Sequence, residues 1–263
     1  MSFPSKIICL TEETVETLYL LGRSDLILGV SKFVERPPDA KANHPAVSQF
    51  VRSDIEGIVN LKPDLVIGFS DIQKDIAKDL VARGLNVLVT NQRSLKEILD
   101  QILFLGRIIG EEAKAKILVD EFSSKLDFYR EKNRNKARVK VYFEEWDKPQ
   151  ISCIQWVSEL IEAAGGENIF KHKSGSLAAE RIVTDEEVVA LNPDAIIGCW
   201  CGKKVDLESF TSRVGYMRVR AIQMGHVFEV SPAIFLQPGP ALFVDGLSQM
   251  SELLEKVAHA LDV

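Results

Sequence analysis

The chain has 263 residues, of which 46% are hydrophobic and 27% charged, the balance of a soluble globular protein and enough length for two domains of ordinary size. A net charge of −6 argues against a face built to grip nucleic-acid phosphates. No stretch approaches the roughly twenty apolar residues of a membrane span. The opening MSFPSKIICL shows no charged region followed by an apolar one, so the expectation is either cytoplasmic residence or a mature chain carrying a start Met. Cys9, Cys153, Cys199 and Cys201 are too few and too unevenly placed for a disulfide scaffold and read as free or functional thiols.

In chain order, residues 6–10 read as a first strand. Thr11 is placed to cap a helix over 12–21, where Val15, Leu18, Tyr19 and Leu21 form one apolar stripe. Gly22 ends it, and 26–30 is a second strand. Residues 31–47, rich in Pro and polar side chains, read as a long irregular loop, the place where an α/β protein puts ligand contacts. Ser53 and Glu56 have capping-box spacing. A short helix then stops at Pro63, and Leu65, Val66 and Ile67 make a buried strand. A helix over 72–83, a strand over 86–90 and a helix over 94–109 complete a first lobe, 1–109. Residues 111–136 hold no Gly or Pro and place Ala113, Ile117, Leu118, Phe122, Leu126 and Tyr129 at helical spacing. This segment, within 110–136, is expected to be a rigid helix linking two lobes.

The second lobe, 137–263, opens with a strand over 137–143, interrupted by a charged loop over 144–149. A helix over 157–164 closes on Gly165 and Gly166, and 171–181 is a polar loop. Thr184 and Glu187 form a second capping box, and Ala195, Ile196 and Ile197 a second buried strand. Helical turns over 207–224, a strand over 226–230, a loop over 231–240 and a last helix over 241–261 follow. The organising feature is a repeat: Leu61, Pro63, Asp64, Ile67 and Gly68 recur at constant offset as Leu191, Pro193, Asp194, Ile197 and Gly198. Five identities in one order indicate duplication of a helix, turn and strand unit. The fold class is therefore α/β with two lobes.

Enzyme signatures are missing: there is no dinucleotide-binding glycine pattern, phosphate loop, zinc-protease motif or nucleophile elbow. Ser174 and Ser176 beside His172 lack a recognisable base and orienting acid, and read as a connector. His226 and His259 read as structural, whereas His44 and His172 fall in equivalent loops and, with carboxylates, are candidates for a metal. Cys199 and Cys201 flank Trp200. In extended backbone both thiols share a face, which allows a soft-metal site, contact with a ligand, or two small buried hydrophobes. Phe33, Phe69, Trp146, Trp156, Trp200, Tyr216 and Phe235 fall in loops or just beyond strands. Together they suit a wall for a large, flat ligand, with Arg36, Glu145, Asp147, Lys203, Lys204 and Gln237 as polar contacts.

The order of elements, with residues 12–22, LGVSKFVERPP at 28–38, LKPDLVIG at 61–68, ELIEAAGGENIF at 159–170 and LNPDAIIG at 191–198, resembles the class III periplasmic binding proteins of the cobalamin and iron-siderophore type, the BtuF-like or TroA-like fold. The resemblance covers nearly the whole chain. It implies two Rossmann-like lobes with central, mainly parallel sheets joined by one long α-helix. It also implies a non-catalytic protein that holds a cobalamin or related corrinoid between its lobes, without a catalytic cofactor, for an ABC permease. The matching ligand positions are Phe33 to Arg36, Phe69, Ser70, Trp146, Trp156 and Trp200, with Glu12, Glu145, Cys201, Lys203, Phe235 and Gln237 as further ligand-binding candidates.

The family's permease-facing Glu falls near 73–75, where none stands, and Asp206 and Glu208 are the candidates on the second lobe. By resemblance the protein is a periplasmic monomer, and its opening residues leave a cytoplasmic carrier as the other expectation. The alternative ligand is a metal ion or metal chelate such as a siderophore or haem, held with Cys199 and Cys201. An enzyme acting on the cofactor is a further alternative.

Overall fold

The computed structural model describes residues 3–173 and 175–261. Ser174, weighed above as a nucleophile, lies outside them. Two compact units emerge, Met1–Gln92 with Lys96–Glu121, and Arg93–Leu95 with Phe122–Val263.

Among the described residues the first unit carries a six-stranded sheet in the order β4-β3-β2-β1-β5-β6. Its strands are β1 (Ile7–Cys9), β2 (Ile27–Ser31), β3 (Ala46–Gln49), β4 (Arg52–Ser53), β5 (Leu65–Phe69) and β6 (Val87–Thr90). All neighbours run parallel except β3 and β4. The helices are α1 (Glu12–Leu20), α2 (Ala40–Asn43), α3 (Ile55–Asn60), α4 (Lys74–Ala82) and α5 (Leu95–Ile108). Ile8, Leu10, Ile58, Val66, Ile76 and Leu80 pack as one buried cluster, which is why the central strands read as unbroken apolar runs.

The expected loop over 31–47 is instead partly ordered as α2 and β3, because Val30 and Lys32 donate backbone hydrogen bonds to Pro45 and Ser48 carbonyls at 3.0 and 2.8 Å. A strand this short leaves too little alternation to read. Two caps also differ from expectation. The Thr11 hydroxyl donates to Glu13 Oε1 at 2.6 Å rather than capping α1. Asp54, not Ser53, caps α3, its carboxylate accepting from Gly57 N–H at 2.9 Å.

The long helix α6 (Glu112–Asn133) buries Ala115, Val119, Phe122 and Leu126. Of the expected stripe Phe122 and Leu126 are buried, whereas Ala113 is exposed and Ile117 61% exposed. The unit boundary falls within this helix.

In the second unit β7 (Val139–Asp147), β8 (Gln150–Ser152), β9 (Gly166–Asn168), β10 (Ala195–Gly198) and β11 (Val227–Glu229) form a sheet ordered β11-β10-β7-β8, with β9 also on β7. Only the β7–β8 pair among these is antiparallel. The charged segment read as a loop is the end of β7, because β8 folds back on it and pairs Trp146 with Ile151 and Asp147 with Gln150. The helices are α7 (Gln155–Ala163), α8 (Asp185–Leu191), α9 (Arg220–Gln223), α10 (Pro232–Phe235) and α11 (Leu247–Ala260), the last preceded by a wide turn over Leu242–Gly246. The Thr184 capping box forms as expected, with Thr184 Oγ1 accepting at 3.3 Å and Glu187 accepting in return at 3.0 Å.

The repeat occupies the same place in both sheets, each copy's strand lying between two parallel neighbours. Lys62 and Asn192 both take a left-handed turn, φ 51° and 47°, before the proline. The Asp64 and Asp194 amides both donate at 2.8 Å, to Lys6 and Lys140 carbonyls of the adjoining strand. Packing favours glycine at the last residue of β10 and at the one before the last of β5: a Cβ on Gly198 would lie 2.5 Å from Val205 Cγ1, and on Gly68 2.7 Å from Gln73 Oε1.

Candidate functional site

Parallel strands bring their carboxyl ends to one edge, so the segments leaving those ends are where side chains from distant sequence meet. In the first unit this edge is apolar. Phe33 follows β2, Phe50 and Val51 form the turn between β3 and β4, and Ile72 follows β5, with 54%, 37%, 60% and 47% of their surface exposed. Gln73 ties two of these segments together, donating to Phe50 O at 3.0 Å and accepting from Phe69 N–H at 2.9 Å. Phe50, Val51 and Ile72 were missed in the sequence. The signal available was a pair of consecutive apolar residues, Phe50-Val51, in an otherwise polar turn.

Beneath this edge the first two turns of α1 carry three buried acids. Glu12 accepts from Glu35 N–H at 3.1 Å, and burial pushes its carboxyl up to about 8. Burial likewise pushes Glu13 up to about 7. Glu16 pairs with Arg36 at 2.8 Å. Glu12 and Arg36 are therefore engaged within the unit, where Arg36 pins the 31–40 segment to α1. Phe69 and Ser70 are both buried, contrary to their expected exposure beyond the strand. Phe69 is the last residue of β5, and the Ser70 hydroxyl accepts from Ile72 N–H at 3.3 Å, shaping the turn that exposes Ile72. Gln73, near which a permease-facing acid was sought, is buried.

The corresponding edge of the second unit is built from paired charges. Glu144, fully buried, accepts from both Arg213 nitrogens at 2.5 and 2.8 Å, from Tyr142 Oη at 2.7 Å and from Trp200 Nε1 at 3.1 Å. That bidentate clamp also stacks Arg213 over Phe210, 4.2 Å from its ring centre. Glu145, alternating to the other side of β7, pairs with Arg181 at 2.6 Å and accepts from Ile154 N–H at 2.6 Å. Burial outweighs the Arg181 charge and pushes the Glu145 carboxyl up. Lys203 reaches Asp147 at 2.6 Å and lies 4.3 and 4.6 Å from the Trp146 and Trp200 ring centres. Asp147, Trp200 and Arg213 border a cavity of about 380 Å³.

Other proposed ligand contacts are placed elsewhere by packing. Trp156 lies on α7 rather than in a loop, 3% exposed, and donates to Phe235 O at 2.9 Å. Phe235 and Tyr216 are fully buried, and Trp200 is 3% exposed, so these rings serve the core while Trp146 stays half-exposed. Gln237 is half-buried and Lys204 exposed. Cys199 and Cys201 do not share a face: the strand ends at Gly198, leaving Cys199 buried and Cys201 exposed in the following turn. Burial pushes the Cys199 thiol up, favouring its protonated form over a metal-binding thiolate. Among the described residues no three His, Cys, Asp or Glu side chains are grouped to hold a metal ion. His44 Nε2 is hydrogen-bonded with Tyr19 Oη at 2.9 Å, and His172 is exposed beside Phe170.

Residues 7–233 match the family model described as periplasmic binding protein. The chain belongs to that family. Over 259 residues it is 27% identical to an uncharacterized ABC transporter substrate-binding lipoprotein of Bacillus subtilis, covering 95% of this chain and 79% of that one. It is also 27% identical to a vitamin B12-binding protein of Vibrio vulnificus, over 73% of this chain and 70% of that one. A solved structure of Staphylococcus aureus IsdE complexed with heme superposes with a TM-score of 0.81 at 20% identity, covering 97% of this chain and 99% of that one. The periplasmic binding protein fold of this chain thus presents two α/β units with mainly parallel sheets. Among the described residues no helix is long and apolar enough to cross a membrane.

Proposed function

We propose that this chain is the non-catalytic ligand-binding component of an ABC-type importer and that its ligand is a corrinoid of the cobalamin class. The observation that carries this reading is the exposed apolar edge of the first unit, Phe33, Phe50, Val51 and Ile72. Such side chains recognise a large ligand with apolar faces by burial rather than by charge. Within the second unit taken by itself, the half-exposed Trp146 with Lys203 laid over it is a surface of the same kind. The sequence similarity to a vitamin B12-binding protein supports the same ligand class. Delivery to an importer places the protein outside the cytoplasmic membrane, consistent with its family.

Removing about 40–80 Å² of ligand-covered ring, at about 25 cal/mol per Å², costs about 1–2 kcal/mol. Phe50→Ala is therefore expected to weaken cyanocobalamin binding, measured by calorimetry, roughly fivefold to thirtyfold while the circular dichroism spectrum stays unchanged. Unchanged affinity would remove Phe50 from the site. Haem binding with a Soret band, in place of corrinoid binding, would transfer the reading to the metal-chelate alternative.

A further inference from the structure

We propose that the cavity against β3 and β4 in the first unit binds a phosphate-type oxyanion. The cavity, about 300 Å³, is bordered by Lys32, Ser48, Gln49, Arg52, Ser53 and Asp54 among others. Ser48 and Ser53 are register partners across the antiparallel pair, and the Oγ atoms of both are buried without a hydrogen-bond partner. Ser48 is only 4% exposed. A hydroxyl removed from water and left unpaired is costly, and such groups in native proteins are normally satisfied by something. Two adjacent ones on a single cavity therefore point to a missing acceptor.

The charges around it select an anion. Arg52 is exposed, and neither it nor Lys32 is ion-paired among the described residues, Lys32 resting its ammonium 4.9 Å from the Phe33 ring centre. The one carboxylate on the lining, Asp54, is committed to capping α3 through Gly57 N–H. The guanidinium fork of Arg52 and the ammonium of Lys32 are the charged donors this lining offers a tetrahedral oxyanion, with the two hydroxyls beside them.

The site adjoins the apolar edge, since Phe50 and Val51 are the turn between Gln49 and Arg52. Two sources share the chemistry: free phosphate, or a phosphodiester carried by the bound ligand. The second source rests on the corrinoid reading above, whereas the first does not.

The experiment titrates the wild-type protein, Arg52→Ala and Ser48→Ala with inorganic phosphate, and in parallel with cyanocobalamin and with cobinamide, which lacks the phosphodiester. Saturable phosphate binding that weakens about tenfold or more in both variants supports a free oxyanion site. A preference for cyanocobalamin over cobinamide that Arg52→Ala abolishes, without free phosphate binding, supports the ligand-borne source. Absence of both effects overturns the proposal. Loss of all corrinoid binding with phosphate binding intact would instead overturn the assigned ligand and leave the oxyanion site standing.

Discussion

Replacing Arg213 by methionine removes the cation that clamps Glu144 while keeping an apolar chain over Phe210. Glu144 is fully buried and receives two of its contacts from Arg213, at 2.5 and 2.8 Å, leaving only Tyr142 and Trp200 as donors after the change. An uncompensated buried carboxylate of this kind costs about 3–5 kcal/mol. At about 2–4 °C per kcal/mol, melting of the second unit should fall by roughly 6–20 °C. The assay is urea unfolding followed by tryptophan fluorescence, since Trp146, Trp156 and Trp200 all lie in that unit. Adding Glu144→Gln to Arg213→Met removes the charge left behind, and the double variant should regain about 2 kcal/mol of the loss. A single-variant cost below about 1 kcal/mol, or a double variant no better than the single, would refute the claim that this pair is a desolvated clamp holding Trp200.

Glu12→Gln tests the buried acid of α1. Because the folded-state carboxyl is raised to about 8, the folded protein binds its proton more tightly than the unfolded chain. The stability this confers is full below the ordinary carboxylate range and is lost as pH rises toward 8. The glutamine variant should therefore show a flatter pH profile and exceed wild type by on the order of 2–4 kcal/mol at pH 8, read from urea midpoints. Parallel profiles would show that Glu12 is charged throughout. Gly198→Ala places a Cβ 2.5 Å from Val205 Cγ1 and should destabilise by about 1–3 kcal/mol. Measured in the Val205→Ala background, most of that cost should vanish. No recovery in the double variant would mean that backbone freedom, not packing, requires the glycine.

What was legible in the sequence followed from periodicity and exact spacing. The central strands were readable because Ile7, Ile8, Val66, Ile67, Ile196 and Ile197 are buried on every face and leave no polar alternation. The repeat was readable because its proline, aspartate and glycine each satisfy a steric or hydrogen-bonding demand that recurs. The short strands were not, since β3, β4 and β8 bury too few side chains to set a pattern. The end of β7 reads as a loop in sequence because Glu144, Glu145 and Asp147 are charged, and their pairing to Arg213, Arg181 and Lys203 depends on residues far along the chain. Aromatic residues at element ends were equally suited to a ligand wall or a core. Packing alone separates buried Trp156, Trp200 and Phe235 from exposed Phe33 and Phe50.

The central claim, a corrinoid held by a periplasmic binding protein fold, is tested most directly by mixing the purified protein with excess cyanocobalamin and removing free ligand by gel filtration. The account predicts that the protein peak keeps the corrinoid absorption bands at a ratio near one ligand per chain. A protein peak stripped of those bands would contradict it.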